Sequence, residues 1–197
     1  MEYIRTNAIC PGCGSFERHR ALALFYPKFF SVLPRRLERV LHFAPEPALR
    51  SCLEPLCESY ERSALTGDDV EHHLDLTSLA LPASSCDAIL LNHVLDCMPE
   101  DRAAIREMYR VLRPLGLVVA VAAFEPGSCT REFPPASNTS YRVYGSEDLA
   151  QHFAPFSVIV VNAAADLPSK IARNSGFREL CGPSSCESPR RPSRCES

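Results

Sequence analysis

The amino-acid sequence predicts an α/β fold, a three-layer sandwich in which a mostly parallel sheet has helices on both faces. The clearest observation is the segment 86–124, which reads as a buried strand, a short polar loop, an amphipathic helix and a second buried strand. A further apolar run over residues 39–43 is followed by another helical pattern. Because alternating strands and helices give parallel strands joined by right-handed crossovers, this order predicts a Rossmann-like sheet.

The helix inside this segment has the pattern of an amphipathic surface helix. Its apolar residues recur at the i, i+3, i+4 and i+7 spacing of one helical face: Ile105, Met108, Tyr109 and Leu112. Glu100 and Asp101 give the helix an acidic first turn. Pro114 and Gly116 follow its end. We therefore expect the apolar face to pack against the sheet.

The other elements follow from local signals in chain order. A first helix is predicted over residues 15–30, capped by Ser15 and interrupted near Pro27. Strands are predicted at 39–43, 60–65, 70–75, 87–91 and 117–124, with a helix at 48–57. Residues 125–140 are rich in Pro, Ser and Gly, which predicts a lid or long surface loop. A short helix begins at Ser146, and the β-branched run 157–164 predicts a sixth strand.

Length, composition and charge limit the domain organisation and the partners. A chain of 197 residues with 46% hydrophobic content can bury one full core, which we place at residues 15–165. Residues 166–197 lack apolar periodicity and are predicted to form a disordered tail. A net charge of -3 gives no basic footprint, so nucleic acid is not an expected partner. No apolar run approaches the roughly 20 residues that span a bilayer, and the sequence has no signal-peptide pattern, so we expect a cytoplasmic protein without membrane contact.

The ten cysteines include one pair with metal-ligand spacing. Cys10 and Cys13 form a CxxC turn, which is half of a zinc knuckle, but tetrahedral zinc needs four ligands. His19 is the candidate third ligand, although it falls in the first turn of a predicted helix. The alternative is a turn that retains only the shape of a knuckle. We interpret residues 1–14 as a remnant of such a segment and expect no bound metal.

Three stretches of the sequence together resemble a known family. They are CDAILLNHVLDCMPEDRAAIREMYRVLRPLGLVVAVAAF, the upstream RVLHFAPEPAL, and HHLDLTSLAL. They resemble the class I S-adenosylmethionine-dependent methyltransferases, and within them the type 11 group, in a branch whose cofactor loop reads APE. The resemblance covers roughly residues 10–162. It implies S-adenosylmethionine as the cofactor, bound in the crevice beyond the carboxyl ends of the strands.

The resemblance assigns the loop after the first strand to the cofactor, with Phe43, Ala44, Pro45 and Glu46 as its residues. Most of the class has glycines in this loop because the backbone approaches the ligand closely and adopts positive φ, whereas this chain has Ala44. The Glu46 carboxylate could accept a charge-assisted hydrogen bond from the ammonium group of the cofactor's methionine end. The alternative is an exposed glutamate at a proline-rich strand exit.

Two further strand ends carry the remaining cofactor contacts. In the resembling branch the acid that binds the ribose hydroxyls falls at Ala64, and Glu61, Asp68 or Asp69 could replace it only with a shifted loop. The resemblance places Asp75 and Leu76 against adenine. The alternative for Asp75 is a turn cap to Thr77 and Ser78.

After the fourth strand, Asn92 and His93 face the cofactor's methionine end and the substrate in the resembling family. His93 is the candidate base, and the alternative is a structural histidine at a strand end. Methyl transfer needs mainly alignment of the acceptor with an already activated methyl group. The sequence therefore predicts S-adenosylmethionine-dependent methylation of an unidentified small molecule. The competing hypothesis is a catalytically inactive binding or scaffold module, and a nicotinamide oxidoreductase is disfavoured because G-x-G-x-x-G is lacking.

Overall fold

The computed structural model describes residues 8–12, 14–134 and 140–161. The predicted tail 166–197 and Cys13 lie outside these residues, as does most of the predicted segment 1–14. The chain divides into two compact units. One contains the described residues up to Arg36 together with Glu46–Leu56, and the other contains Leu37–Pro45 and most of the chain from Cys57 onward.

The second unit is built on a four-stranded parallel sheet. Its strands are β1 (Leu37–Phe43), β2 (Cys57–Ser63), β3 (Cys86–Asn92) and β4 (Leu112–Val121), in the order β2-β1-β3-β4. The central strand β1 pairs on both sides, with Val40 opposite Tyr60 of β2 and Ala88 of β3. Every residue of β3 is buried, as expected for a central strand covered on both faces. This sheet, with helices in its connections, confirms the predicted α/β fold.

The helix between β3 and β4, α3 (Asp101–Val111), covers one face of the sheet. Its buried face carries Ala104, Ile105, Met108 and Val111, which share a core with β1, β3 and Leu76. The prediction that Tyr109 belongs to this face is wrong, since Tyr109 is 54% exposed and its ring packs edge-on against Phe156. Val111 takes the next buried position instead, because 3.6 residues per turn bring it round above Met108.

The first unit pairs α1 (Glu17–Ser31) with α2 (Pro47–Leu53), which a 3-10 turn over Glu54–Leu56 extends. Pro27 lies inside α1, as predicted. The predicted Ser15 cap is wrong, because the residue at that position is Phe16, without a side-chain cap bond. The Ser15 carbonyl instead accepts hydrogen bonds from the Cys10 N–H and the Arg20 guanidinium, both at 2.8 Å.

The region after β4 contains a second, small sheet where the sequence predicted only a loop. It consists of β5 (Phe124–Glu125), β6 (Arg131–Glu132) and β7 (Arg142–Gly145), in the order β5-β7-β6. The short helix predicted from Ser146 is present as α4 (Leu149–His152). No helix among the described residues is long and apolar enough to cross a membrane.

Two predicted strands are not strands. Residues 70–75 form only one parallel bridge, between Ser63 and His72. Backbone hydrogen bonds from Glu71 and His72 to the Arg62 carbonyl, together with side-chain hydrogen bonds, hold this segment to β2. The apolar run 157–164 has no strand over its described part, 157–161. Ile159 is 86% exposed among the described residues, and β-propensity alone did not produce a strand there.

Candidate functional site

The carboxyl ends of β1 and β3 lie side by side, because Phe43 pairs with Leu91 in parallel register. Each of the two strands is followed by a residue with a strained backbone. Ala44 follows β1 with φ 47°, and His93 follows β3 with φ 54°. A side chain in the left-handed region costs free energy, and such positions concentrate at functional sites. These two strand exits define the candidate site.

The His93 side chain is held by a buried carboxylate. Its Nδ1 lies 3.2 Å from Oδ2 of Asp96. The backbone N–H of His93 donates to the Val121 carbonyl at 2.7 Å. The His93 side chain is 42% exposed, whereas that of Asp96 is 3% exposed. An accessible imidazole with a carboxylate behind it is the arrangement of a general base and its orienting group. Sequence reasoning singled out His93 but missed this partner, for which the i, i+3 spacing was the available signal.

The turn that carries Asp96, Leu95–Cys97, is fixed from the other side by Arg142 of β7. The Arg142 guanidinium donates to the carbonyls of Leu95 at 3.0 Å and Met98 at 2.7 Å. The Asp96 carbonyl accepts the Tyr141 N–H at 2.7 Å. Long-range bonds from a paired strand therefore set the position of Asp96.

A buried ionic cluster anchors Arg142 in turn. Asp101 Oδ2 accepts from Nε2 of His152 at 2.6 Å and from the Tyr144 hydroxyl at 2.8 Å, and it lies 3.3 Å from Arg142 Nη1. Burial acts to raise the pKa of Asp101, but hydrogen bonds from His152 and Tyr144 outweigh it, and the pKa lies below its ordinary value. Burial raises the pKa of Tyr144, and the bond to Asp101 raises it further. Asp101 therefore stays ionised and Tyr144 stays a donor.

Under the strand ends a polar chain crosses three strands. His42 of β1 is fully buried, with Nδ1 2.7 Å from the Tyr60 hydroxyl and Nε2 3.3 Å from the amide nitrogen of Asn92. The side chain of Asn92 thus takes part in the core network, and a cofactor contact through it stays a prediction. Sequence reasoning did not find the His42–Tyr60 contact.

The end of β2 has no acid at the position that the resemblance assigns to the ribose contact. Ala64 occupies the expected position, and its N–H donates to the His72 carbonyl at 3.2 Å. The Glu61 carboxylate is bound by both Nε and Nη2 of Arg39, each at 2.7 Å, and by His72. The pKa of Glu61 is lowered, chiefly by the hydrogen bond from Arg39. The hydrogen bonds of the Glu61 carboxylate are therefore made to Arg39 and His72 within the protein.

The other two candidate acids, Asp68 and Asp69, differ in whether they form an ion pair among the described residues. Asp69 lies 2.9 Å from Nη1 of Arg62, whose Nη2 pairs with Glu71 at 2.7 Å. Asp68 is exposed in the turn after β2. Arg62 thus holds Asp69 and Glu71 against β2, and a role of Asp68 or Asp69 toward a ribose stays a prediction.

Asp75 lies beyond the carboxyl end of β2, since the segment runs parallel to β2 with His72 beside Ser63. Oδ1 of Asp75 accepts the Thr77 N–H at 2.8 Å and the Thr77 hydroxyl at 2.7 Å. The turn cap is therefore present, and the adenine contact stays a prediction for the second oxygen. Leu76 is 5% exposed and packs in the core, so only its backbone can serve a ligand.

Glu46 belongs to the first unit, at the start of α2. Its Oε1 lies 3.7 Å from Nε2 of His19. Burial is the largest effect on His19 and lowers its pKa, although Glu46 acts to raise it. At neutral pH His19 is therefore uncharged. The role of Glu46 toward an ammonium group stays a prediction.

The predicted site residues thus divide between the two units. Phe43, Ala44, Pro45, Asp75, Leu76, Asn92 and His93 belong to the unit that contains the sheet. Within the described part of the chain, no three His, Cys, Asp or Glu side chains form a group that could hold a metal ion. Cys10 has a free thiol, and its predicted partner Cys13 lies outside the described residues.

Comparison with known proteins gives one family match and several structural ones. Residues 28–120 match a family model described as a methyltransferase domain. An S-adenosylmethionine dependent methyltransferase from Mesorhizobium loti is similar in structure, with a TM-score of 0.57 at 16% identity over 80% of this chain and 93% of that chain. The [4+2]-cyclase SpnF has a TM-score of 0.50 at 19% identity over 86% of this chain and 69% of that chain.

A third match, the YcgJ protein from Bacillus subtilis, has a TM-score of 0.45 at 22% identity over 55% of this chain and 52% of that chain. The chain thus spans about half the length of that protein. No curated protein matches the sequence. At these identities the structural likenesses establish the fold and no more.

Residues 28–120 thus match a methyltransferase domain, and the parallel sheet is the fold that this chain shares with the methyltransferase from Mesorhizobium loti. Both findings support the predicted resemblance to the type 11 group of the class I S-adenosylmethionine-dependent methyltransferases. S-adenosylmethionine is accordingly the cofactor that the family implies.

The residues present fit this cofactor at two of its three parts. At the methionine end, Ala44 already has the left-handed backbone that glycine usually supplies in this loop. At the adenine end, one Asp75 oxygen has no hydrogen-bond partner among the described residues. At the ribose, Ala64 offers no acceptor and Glu61 is bound to Arg39. The described residues therefore fit S-adenosylmethionine at its methionine and adenine ends, but without the usual carboxylate contact to its ribose.

Proposed function

We propose that this protein transfers a methyl group from S-adenosylmethionine to a small molecule, with His93 as the base that receives the acceptor's proton. The observation that carries the proposal is the His93–Asp96 pair at the carboxyl edge of the sheet, 3.2 Å apart, with the imidazole accessible and the carboxylate buried. Ligands bind at this edge in open α/β sheets. The bound cofactor would supply the activated methyl group.

A small-molecule acceptor is favoured by the charge of the chain. The net charge is -3, without the excess of Lys and Arg that nucleic-acid substrates require. The site is built from a few polar groups at strand ends, which is typical of small-molecule sites.

Direct titration calorimetry with S-adenosylmethionine and its demethylated product tests the proposal. We expect weak binding, because the missing charge-assisted pair at the ribose costs about ten- to a hundredfold in affinity. Ala64→Asp should restore that carboxylate and tighten binding by up to the same factor. Ala83→Asp is the matched control, since Ala83 is exposed in the turn before β3, at the opposite edge of the sheet, and should leave affinity unchanged. If neither ligand produces heat at millimolar concentration with the wild type or Ala64→Asp, the proposal fails.

A catalytically inactive binding or scaffold module is the second candidate, favoured by one specific observation. Two of the three acids that could replace the ribose acid are paired, Glu61 with Arg39 and Asp69 with Arg62. The fold alone does not decide between the candidates, because one fold hosts many functions. Lack of cofactor binding in an otherwise stable protein would favour the module.

A further inference from the structure

We infer that Asp96 is a positioning residue that fixes His93 with its proton on Nδ1, which makes Nε2 the base and a small-molecule hydroxyl the methyl acceptor. This inference rests on the proposed function and names the acceptor class for the same site. Asp96 touches neither the acceptor nor the cofactor in this assignment and acts through His93.

The tautomer follows from the partners of one oxygen. Oδ2 of Asp96 accepts the Ala123 N–H at 3.1 Å and lies 3.2 Å from Nδ1 of His93. An ionised carboxylate only accepts hydrogen bonds, so Nδ1 must be the donor. The neutral imidazole then carries its lone pair on Nε2, which has no hydrogen-bond partner among the described residues.

The backbone around the pair keeps this geometry in place. The backbone N–H of His93 donates a hydrogen bond to the Val121 carbonyl, and the backbone carbonyl of Asp96 accepts one from the Tyr141 N–H. The imidazole is therefore oriented before any ligand binds, as an effective base requires.

The second oxygen of Asp96 explains why a carboxylate is useful here. Oδ1 is buried and has no hydrogen-bond partner among the residues the structure describes. A carboxylate that lacks part of its solvation gains more from a nearby positive charge than a fully solvated one. Proton transfer to Nε2 creates that charge on His93, whose Nδ1 lies 3.2 Å from this carboxylate.

A base is needed only by an acceptor that must lose a proton. A hydroxyl transfers its proton to Nε2 of His93 while its oxygen bonds to the methyl carbon. The electron pair of the breaking sulfur–carbon bond stays on the sulfur, which becomes a neutral thioether. A carboxylate acceptor has no proton to lose at neutral pH and would leave the His93–Asp96 pair without a role.

Nitrogen-15 NMR of the unliganded full chain tests the positioning role without any acceptor. We expect the His93 signals, assigned with His93→Gln, to show a protonated Nδ1 and an unprotonated Nε2. Asp96→Ala should shift the population toward the Nε2–H form, and Asp96→Asn should retain the wild-type form, because its amide oxygen can still accept from both donors. Asp68→Ala, at an exposed carboxylate, is the control. The inference is overturned if His93 of the wild type carries its proton on Nε2, or if Asp96→Ala leaves the tautomer of His93 unchanged.

Transfer of labelled methyl groups to matched probes tests the acceptor class. The probes are phenol, thiophenol, aniline and benzoate, with S-adenosylmethionine as donor. We expect transfer to phenol, with kcat lowered about ten- to a hundredfold in Asp96→Asn and cofactor Kd changed less than twofold. Absence of transfer to phenol, or faster methylation of benzoate, overturns the hydroxyl assignment. Loss of cofactor binding would instead count against the proposed function, while the NMR result would still decide the role of Asp96.

Discussion

The carboxylate of Asp75 accepts two hydrogen bonds from Thr77, one from its N–H at 2.8 Å and one from its hydroxyl at 2.7 Å. Both end on Oδ1, so the carboxylate closes a turn with one oxygen and presents the other beyond the end of β2. The pKa of Asp75 is lowered, mainly by the Thr77 hydroxyl, which keeps the group ionised. A structural and a ligand-binding role are therefore compatible in this one side chain.

Asp75→Ala and Asp75→Asn separate these roles. The alanine variant loses the turn bonds and should lose about 0.5–1 kcal/mol of unfolding free energy, whereas the asparagine variant keeps an acceptor and should lose less. If the second oxygen accepts from the adenine amine, S-adenosylmethionine affinity should fall more for Ala than for Asn. Thermal unfolding and calorimetry measure the two effects. Lost stability with unchanged affinity would contradict the adenine assignment.

Tyr144→Phe should destabilise the protein by about 1.5–3 kcal/mol in urea unfolding. The change keeps the buried ring and removes the hydroxyl that donates to Asp101 at 2.8 Å, which is a hydrogen bond to a charged group. Tyr109→Phe is the matched control, because Tyr109 is 54% exposed and the change should stay within about 0.5 kcal/mol. Equal effects of the two variants would show that the Asp101 cluster does not anchor β7.

The Arg62–Glu71 pair should make stability depend on pH in the acid range. Hydrogen bonds from Arg62 lower the pKa of Glu71 from 4.5 to about 2. Because the folded-state pKa is depressed, the contribution is complete above pH 4.5 and is lost as the pH falls toward 2. The Glu71 side chain is 43% exposed, so solvent screening limits the loss to about 0.5–1 kcal/mol.

Urea unfolding at several pH values measures this loss. Glu71→Gln should flatten the decline, and Glu58→Gln, at an exposed position of β2, should not. An identical decline in both variants would contradict the assignment to Glu71.

Ala44→Gly should stabilise the unliganded protein by about 0.5–1 kcal/mol. Glycine adopts φ 47° without the strain that a Cβ causes, and this gain exceeds the entropy cost of glycine in the unfolded chain. Ala83→Gly, at an exposed position with ordinary φ, should instead lose a few tenths of a kcal/mol or more. Thermal unfolding compares the pair. If Ala44→Gly destabilises the protein as much as Ala83→Gly does, the backbone of Ala44 is not strained.

Local patterns predicted the strands with continuous apolar runs and failed where polar side chains control the backbone. β1 and β3 were predicted correctly because each carries a buried run that only a covered strand satisfies. The segment 70–75 was predicted as a strand, but Arg62 and Ser63 of β2 bind it through Glu71 and the Leu74 N–H. A contact of this kind depends on residues brought together by folding, and no periodicity reports it.

The sequence by itself determined the order of the four strands of the parallel sheet and of the helices between them, and with it the edge at which we propose that a ligand binds, because burial periodicity and turn residues are local properties. Only the tertiary structure decided which polar groups are available at that edge. It paired Glu61 with Arg39 across two strands and Asp101 with Tyr144 across 43 residues. Charge pairing depends on distances of a few ångströms between atoms far apart in the chain, which sequence spacing does not encode.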